Sequence, residues 1–292
     1  MPAEAAGGVL FVHAHPDDES VSTGGTIARL VAEGVRVDVV TCTDGAEGEI
    51  HDPSLDATEA RPRLAAIRAD ELACSLDALG GGAIHQHLFG YRDSGMMGTE
   101  ANQHPDCFWQ ANVEDATRRL VAVVMKARPA AIVSYDEQGN YGHPDHINAA
   151  RIARDAYRAS QGEPWAVARF HEIAWERESW AELTAAMKER GLALPWDQAD
   201  EAPSEDEQSD AQEWGRPAEE VTTRVDVGAF LDRKRRSMDC HKTQRQDMGW
   251  LLDMPTDLAD RILATETYVL RWLEGADVPA TVREDSLLGS RR

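Results

Sequence analysis

The segment VLFVHAHPDDE, residues 9–19, gives the strongest indication of the fold. Its first four residues form a short apolar run that opens onto polar residues, as expected of a central parallel strand buried on both faces. The next seven residues carry two imidazoles and three carboxylates, which is poor material for a core. Doubly wound folds bind ligands outside the carboxyl ends of parallel strands, so this stretch predicts a functional site at such an edge.

Predicted helices and strands alternate through the first half of the chain. Apolar spacing predicts helices over 24–33, 63–79, 113–127 and 147–160, and apolar or β-branched runs predict strands over 35–41 and 130–135. Strands that alternate with helices of this length imply parallel strands joined by crossover helices. The predicted fold class is therefore α/β, with a Rossmann-like, mostly parallel sheet flanked by helices.

The pattern becomes looser beyond residue 162. We expect strands over 168–175 and 221–227 and helices over 180–190, 228–247 and 255–272. Between them, the segment 197–220 carries ten acidic residues, one arginine and almost no aliphatic side chains. Such a segment cannot bury enough apolar surface to offset its ordering entropy, which predicts a solvated loop or a disordered segment.

The charge of the chain argues against two classes of partner. The 30 Lys and Arg residues against 52 Asp and Glu give a formal charge of −22. Nucleic acids and anionic membranes bind proteins largely through Lys and Arg, so we expect neither as a partner. No apolar run approaches the ~20 residues that span a bilayer, and residues 1–8 lack a basic patch and a signal-peptide core. The sequence predicts a cytoplasmic protein and does not indicate its oligomeric state.

The four cysteines, Cys42, Cys74, Cys107 and Cys240, lie far apart without CxxC spacing. This spacing indicates neither a disulfide framework nor a cysteine-type zinc site. We therefore predict four reduced thiols.

A second polar cluster, YGHPDH at residues 141–146, follows the predicted strand over 130–135. Both clusters follow a strand, and the carboxyl ends of parallel strands share one edge of a sheet. Zinc binds imidazole nitrogen and carboxylate oxygen, and its catalytic sites use three protein ligands and leave one position for water. His15, Asp18 and His146 provide such a set, which also suits ferrous iron (Fe²⁺).

The other polar residues of the two clusters have predicted roles in hydrolysis. A metal ion lowers the pKa of its water toward ~7, and Asp17 is placed to complete the deprotonation as a general base. His143 is expected to protonate a leaving group, with Asp145 as the partner that orients its ring. Tyr141 is expected to donate a hydrogen bond to a developing oxyanion.

Each cluster also has a purely structural interpretation. A single His–Asp pair in a loop is usually a capping or hydrogen-bonding feature, and Asp-Asp-Glu before a helix stabilises the N-terminal dipole. We expect Glu19 and Ser20 to do no more than that, and His13 to be a packed histidine. Because both clusters follow strong strands, we favour the functional interpretation for the two together.

The motif HPDDE at 15–19, combined with HPDH at 143–146, resembles the paired signature of the zinc-dependent N-acetylglucosamine deacetylase superfamily, known as LmbE-like or PIG-L. The resemblance runs from about residue 9 to residue 160. Within the family, the chain is most similar to the mycothiol biosynthesis deacetylase and the mycothiol S-conjugate amidase. The resemblance implies zinc (Zn²⁺) at the same three ligands, the same general base, and Tyr141 and His143 acting on the tetrahedral intermediate and the leaving amine.

The resemblance also implies residues that the spacing argument does not reach. Arg68 and Asp93 would contact sugar or inositol hydroxyls, and Ser22 and His241 would be further substrate-binding residues. Ser22 stands where the amidase carries Lys, and Asn140 stands where Gly is common before the Tyr.

The predicted activity is metal-dependent hydrolysis of the amide of an N-acyl glucosaminide, a small-molecule substrate. We divide the chain into a metal-binding catalytic core over 1–162, a smaller section over 163–280 that completes the pocket, and a loose tail over 281–292. The alternative is a non-hydrolytic sugar- or nucleotide-binding module with a structural metal, but Gly24-Gly25 lacks the spaced glycines of a dinucleotide fingerprint. The acidic segment could also act as a recognition tail.

Overall fold

The computed structural model describes residues 7–193 and 215–289, in which strands and helices alternate along most of the chain. The strands are β1 (Gly8–His13), β2 (Val37–Thr43), β3 (Ile84–Tyr91), β4 (Pro129–Ser134), β5 (Arg169–Ala174), β6 (Thr223–Asp226), β7 (Thr265–Leu273) and β8 (Ala276–Asp277). The helices are α1 (Asp18–Ser22), α2 (Gly24–Ala32), α3 (Ala57–Ala60), α4 (Leu64–Gly80), α5 (Val113–Ala127), α6 (Pro144–Ser160), α7 (Arg177–Glu189), α8 (Leu231–Cys240), α9 (Arg245–Asp253) and α10 (Thr256–Leu263).

The strands form one sheet in the order β3-β2-β1-β4-β5-β7-β6, and β8 pairs with β7. The strand pairs among the first five strands, β1 through β5, are parallel. Strand β7 runs antiparallel to β5, β6 and β8. All six residues of β1 are buried, because helices cover both faces of a central parallel strand. The predicted α/β fold with a mostly parallel sheet is confirmed.

The sheet order changes direction at β1. The chain continues from β1 to β2 and β3 on one side, whereas β4 and β5 lie on the other side. Loops that leave two neighbouring strands in opposite directions open a crevice at their carboxyl ends. The loops after β1 and β4, which carry the two polar clusters, border this crevice.

The predicted elements of the first half agree with the structure to within a few residues, with one strand missed. Helix α6 begins at Pro144, three residues before the predicted start, because proline suits the first turn of a helix. The strand that the sequence did not indicate is β3, an edge strand with mostly exposed or half-exposed residues.

The prediction of one helix over 255–272 is wrong after Leu263. Residues from Thr265 onward form β7, in which Glu266, Tyr268 and Leu270 are buried at every second position. That period of two is the strand period. The prediction of one helix over 228–247 is also too simple, because a turn after Cys240 separates α8 from α9.

The prediction of a loose tail over 281–292 is wrong as far as residue 289. Glu284 pairs with Arg169 at 2.7 Å, and its backbone bonds with Thr222 and Arg224. Leu287 is buried in the core. Residues 290–292 and 194–214 lie outside the described residues, and the second range includes most of the acidic segment 197–220. Within 7–193 and 215–289, no helix is both long and apolar enough to cross a membrane.

The prediction of four reduced thiols is wrong for two of them. Cys74 on α4 and Cys240 at the end of α8 form a disulfide across 166 residues of sequence. Sequence spacing could not reveal this pair, because α4 and α8 become neighbours only when the sheet brings the two halves together. Cys42 and Cys107 are free and buried, as predicted.

Candidate active site

The loops after β1 and β4 bring three potential metal ligands together. Nδ1 of His15 lies 3.3 Å from Nε2 of His146 and 3.7 Å from Oδ2 of Asp18. Nε2 of His146 lies 3.4 Å from Oδ1 of Asp18. The structure therefore assembles the group of three that the motif spacing selected, in a largely buried position.

The geometry of this group fits a small divalent cation. Tetrahedral bonds of about 2.0–2.2 Å to nitrogen and oxygen place the ligand atoms about 3.3–3.6 Å apart. The two nitrogens lie 3.3 Å apart. Oδ1 of Asp18 lies 3.4 Å from Nε2 of His146, and its Oδ2 lies 3.7 Å from Nδ1 of His15. The donor set and its spacing are thus compatible with a metal ion.

The protonation states of two of these residues favour the same conclusion. Burial lowers the pKa of His146 to about 4 even though Asp18 opposes the shift, which leaves its ring neutral at pH 7. Burial disfavours the charged form of Asp18, but His146 and His15 hold its pKa below the usual range. A neutral imidazole and an ionised carboxylate are the forms that bind metal ions.

The two carboxylate oxygens of Asp18 have different surroundings. Oδ2 accepts hydrogen bonds from the backbone amide of His15 and from the hydroxyl of Tyr135, both at 2.8 Å. The Tyr135 oxygen in turn accepts the backbone amide of Ala14 at 2.8 Å, so its own proton must point to Asp18. Its ring stacks on His146 with centroids 4.1 Å apart. Tyr135 thus contacts two of the three ligands and leaves Oδ1 of Asp18 facing His146.

The second nitrogen of His15 faces two buried carboxylates. Nε2 lies 3.3 Å from Oδ2 of Asp145 and 3.6 Å from Oδ1 of Asp93. Burial lowers the pKa of His15, but Asp93 and Asp145 outweigh it and raise the pKa well above its usual value. An ion bound at Nδ1 would displace one proton of this ring, and the two carboxylates would keep the other proton on Nε2 and fix the ring orientation.

The contacts of Asp145 differ from the prediction that it orients the ring of His143. Its carboxylate accepts the backbone amide and the hydroxyl of Ser94 in addition to its contact with His15. It is the backbone amide of Asp145 that donates to Nδ1 of His143, at 3.1 Å. His143 is the N-cap of α6, and its cap position turns the side chain back over the first turn of the helix.

A second group with metal-binding potential shares one residue with the first. It consists of His15, Asp93, His143 and Asp145. An ion in this second group would bind Nε2 of His15. That nitrogen must keep its proton whenever Nδ1 of the same neutral ring holds an ion. The ligand atoms of the first group, His15, Asp18 and His146, face one another without this conflict, and we call it the metal group.

His143 is neutral and points one nitrogen at the site. Burial, followed by His15 and His146, lowers its pKa to about 3. Because Nδ1 accepts the amide of Asp145, the ring proton is assigned to Nε2. The ring lies 4.5 Å from that of His15 between centroids, so His143 can offer a hydrogen-bond donor beside the metal group.

Asp17 lies next to the metal group and forms a largely buried ion pair with Arg68. Its Oδ2 accepts a hydrogen bond from Arg68 at 2.7 Å. Burial raises the pKa of Asp17 to about 7, because desolvation outweighs the opposing effect of Arg68. A carboxylate with a pKa near neutrality is suited to take up and release a proton at physiological pH.

Arg68 is almost fully buried and bonded to the protein on three sides. Besides Asp17, it donates to the carbonyl oxygens of Pro16 at 2.6 Å and Gly45 at 2.8 Å. A Cβ at position 45 would lie 2.5 Å from the guanidinium, so only glycine permits this approach. Asp93 is similarly engaged, since it accepts the amides of Glu47 and Gly95. These contacts orient the site before any substrate is present.

The metal group opens into a cavity of about 890 Å³. Of the predicted site residues, this cavity is lined by His15, Asp17, Asp18, Ser22, Arg68, Asp93, Tyr141, His143 and His146. Tyr141 is half exposed at its edge, and its hydroxyl lies 3.3 Å from Nε2 of His146. Asn140 next to it has a φ of +67°, a left-handed conformation that asparagine tolerates better than most residues. This backbone conformation explains why Asn can stand where Gly is common.

The prediction that His241 binds substrate is wrong. Its side chain has no exposed surface and does not line the cavity. Nε2 lies 2.8 Å from Oε1 of Glu19, which raises the pKa of His241 against the opposing effect of burial. The physical reason is position, because the end of α8 packs behind α1 and does not reach its open side.

Sequence reasoning missed several residues of the site. From the sequence, Tyr135 is placed only at the end of a predicted strand, Glu19 is assigned to the helix dipole, and Ser94 has no predicted role. Each of these three residues acts through a residue from another segment, so the spacing of residues within its own motif does not indicate its role. Tyr135 had one usable signal, because it follows a strand that was expected to neighbour β1.

Comparison with known protein families agrees with this geometry. Residues 10–157, about half of the chain, match the family model described as PIG-L, GlcNAc-PI de-N-acetylase. The chain belongs to the PIG-L family. A curated relative, the 1D-myo-inositol 2-acetamido-2-deoxy-alpha-D-glucopyranoside deacetylase of Acidothermus cellulolyticus, is 42% identical over 277 residues, which cover 93% of this chain and 90% of the relative.

Solved structures share the PIG-L fold of this chain at lower identity. The N,N'-diacetylchitobiose deacetylase of Pyrococcus horikoshii superposes with a TM-score of 0.53 at 20% identity, covering 89% of this chain and 82% of that one. The 4-carboxy-2-hydroxymuconate hydratase GalB of Pseudomonas putida superposes with a TM-score of 0.57 at 18% identity, covering 90% and 94%. Since a deacetylase and a hydratase both match, these two likenesses support the fold alone.

Proposed function

We propose that this chain is a metal-dependent deacetylase that hydrolyses the acetamide of 1D-myo-inositol 2-acetamido-2-deoxy-alpha-D-glucopyranoside. The observation that carries the proposal is the meeting of His15, Asp18 and His146 beside Asp17 at the bottom of one cavity. Relatives at about 40% identity, matched over 90% or more of this chain, are named for that reaction and support the substrate. A non-hydrolytic binding module is not favoured, because it would have no use for a carboxyl group with a pKa near neutrality beside the metal group.

The proposed metal is zinc. Two imidazoles and one carboxylate suit zinc, and they also suit ferrous iron. A divalent cation bound there would polarise the amide carbonyl and lower the pKa of water. Metal analysis of the purified protein, followed by reconstitution of the apoprotein with each ion, distinguishes the two metals.

Asp17 is the proposed general base. It would take a proton from the attacking water, and with a pKa of about 7 it could pass that proton to the leaving amine. Its carboxylate is held by Arg68, so it needs no reorientation before the reaction. The products would be acetate and a free amine.

Tyr141 and His143 are the proposed donors to the developing oxyanion. The Tyr141 hydroxyl lies beside Nε2 of His146, and the neutral His143 ring directs an N–H toward the same side of the cavity. Donors aimed at the position where charge develops contribute more to the transition state than to substrate binding. With a pKa of about 3, His143 is better suited to donate a hydrogen bond than to act as a cationic acid.

The proposed substrate fits the size of the cavity. The cavity volume of about 890 Å³ lies within the range of roughly 300–1,000 Å³ typical of small-molecule sites. Ser22 lies on its lining and stays a proposed substrate contact. Arg68 and Asp93 stay proposed contacts as well, although both are already bonded to protein groups. The cytoplasmic location, the absence of nucleic-acid and membrane partners, and the division of the chain near residue 162 also stay predictions.

Two variants test the proposal. Asp17→Asn should keep the metal and lose about 10²–10⁴-fold in turnover, the usual contribution of a general base. His15→Ala should lose the metal. The assay measures amine release from the proposed substrate, from a mycothiol conjugate and from N-acetylglucosamine. Full turnover by Asp17→Asn would refute Asp17 as the base, and release from none of the three substrates would refute the deacetylase.

A further inference from the structure

Asp17 has a backbone conformation that its own residue type does not favour. Its φ is +139° with ψ −32°, whereas Arg128, Asn140 and Glu274 have φ between +49° and +67° in the ordinary left-handed region. Non-glycine residues in sparsely allowed conformations persist only where the surrounding structure holds them, and they concentrate at active sites. The contacts that hold Asp17 therefore matter for where its carboxylate points.

The backbone amide of Asp17 is held by a side chain two residues away. It donates to Oε2 of Glu19 at 3.0 Å. On the other side, the carbonyl oxygen of Asp17 accepts the amide of Ser20 at 2.9 Å and its hydroxyl at 2.7 Å. Arg68 holds the carboxylate itself. Among these partners, Glu19 is hydrogen-bonded to a residue of the C-terminal half of the chain, His241.

The second oxygen of Glu19, Oε1, is bound by two residues from other segments of the chain. Oε1 accepts the hydroxyl of Ser75 on α4 and lies 2.8 Å from Nε2 of His241, directly after α8. Glu19 and His241 have no exposed surface, and neither has Ser75. A buried carboxylate is costly to desolvate unless its oxygens are bonded, and these bonds fix its position. Glu19 therefore links two distant segments to the amide of Asp17.

The disulfide strengthens the same junction. Cys74 directly precedes Ser75, and Cys240 directly precedes His241. The two donors that hold Glu19 thus lie beside the covalent link between α4 and α8. Their separation is constrained more tightly than packing alone would constrain it.

We propose that Glu19, held by Ser75 and His241, is a positioning residue that fixes Asp17 in its unfavourable backbone conformation and so aims its carboxylate at the cavity. The inference rests on the proposed function, in which Asp17 is the general base. It assigns to His241 a part in the reaction without contact with the substrate. It also gives the C-terminal half of the chain a direct influence on the chemical step.

The test compares Glu19→Leu with Glu19→Gln and a matched control. Leucine cannot accept the amide of Asp17, so kcat should fall about 10²-fold, the order expected of an ångström-scale misplacement. KM and zinc affinity should change by less than about threefold, because the metal ligands keep their own contacts. Glutamine keeps one acceptor oxygen for Asp17 and should recover kcat to within about tenfold of the wild type.

The control is Glu71→Leu. Glu71 lies on α4 and, like Glu19, is a buried carboxylate. It accepts the amide and hydroxyl of Thr243, which follows α8, at 2.8 and 2.6 Å. It does not contact Asp17, so its loss should lower the unfolding temperature while kcat stays within about twofold. Equal kcat losses in Glu71→Leu and Glu19→Leu would overturn the proposal, as would wild-type kcat or a parallel loss of zinc affinity in Glu19→Leu.

A double-mutant cycle separates this inference from the proposed function. In the Asp17→Asn background, Glu19→Leu should have no further effect on kcat, because the base that it positions is already absent. If Asp17→Asn alone turns over normally, the proposed base fails. If Asp17→Asn is slow and Glu19→Leu lowers kcat again by the same factor, the positioning role fails and the base stands. Should Glu19→Leu not fold, Ser75→Ala carries the same cycle with a smaller expected factor of about tenfold, and no loss of kcat would overturn the proposal.

Discussion

Removal of the hydroxyl of Tyr135 should weaken metal binding without removing a metal ligand. In Tyr135→Phe, Oδ2 of Asp18 loses one of its two protein donors, and the amide of Ala14 loses its acceptor. A hydrogen bond to a charged group contributes about 1.5–3 kcal/mol, and a tenfold change in affinity corresponds to about 1.4 kcal/mol. Zinc affinity should therefore fall about 10–100-fold, as is usual when a partner of a metal ligand is lost.

The assay is competition for zinc with a chromophoric chelator, and Tyr157→Phe is the matched control. Tyr157 is also buried, and its hydroxyl accepts a backbone amide, that of Gly275, at 2.9 Å. Both variants should lose about 1–3 kcal/mol of unfolding free energy from the amide left without a partner. Only Tyr135→Phe should lose zinc affinity. Equal zinc affinities in the two variants would refute the role of Tyr135 in holding Asp18.

Three further predictions concern the disulfide, the base and the oxyanion donor. Cys240→Ser should lower the unfolding free energy by about 5 kcal/mol, the loop-entropy expectation for a link of this span, whereas Cys107→Ser should cost far less in the same denaturant titration. The value of kcat/KM should fall with decreasing pH at or below a pH of about 7, because Asp17 must be ionised to accept a proton and burial raises its pKa to about 7 in the metal-free site. A bound cation moves this fall in kcat/KM to lower pH. If Asp17→Asn still shows the fall, the assignment of Asp17 as the base is contradicted. His143→Ala should lower kcat about 10²–10³-fold with little change in KM, and steady-state kinetics that show only a raised KM would contradict a transition-state role.

The metal ligands could be predicted because their geometry is local. His15 and Asp18 are three positions apart and follow β1, and His146 lies in the first turn of the helix that follows β4. Parallel strands point their carboxyl ends the same way, so adjacency of β1 and β4 was the only non-local assumption required. The structure meets that assumption, with Phe11 of β1 in register with Val133 of β4.

The residues that support the ligands could not be predicted in the same way. Tyr135 reaches the site from the loop after β4, and Asp93 and Ser94 reach it from the loop after β3. Their partners depend on the register of strands and on side-chain direction. The disulfide has the same cause, since Cys74 and Cys240 meet only through the packing of α4 on α8. The strand β7 was mistaken for a helix because an apolar run does not reveal its period when helix and strand spacing overlap.

Residues 241–244 illustrate how a resemblance can select a residue, His241, without indicating its role. His241 bonds to Glu19, and Thr243 bonds to Glu71 on α4. Gln244 alone lines the cavity. One short turn therefore divides its contacts between the back of the site and its open side, so a substitution at His241 should act on kcat through Asp17, whereas a substitution at Gln244 should act on KM.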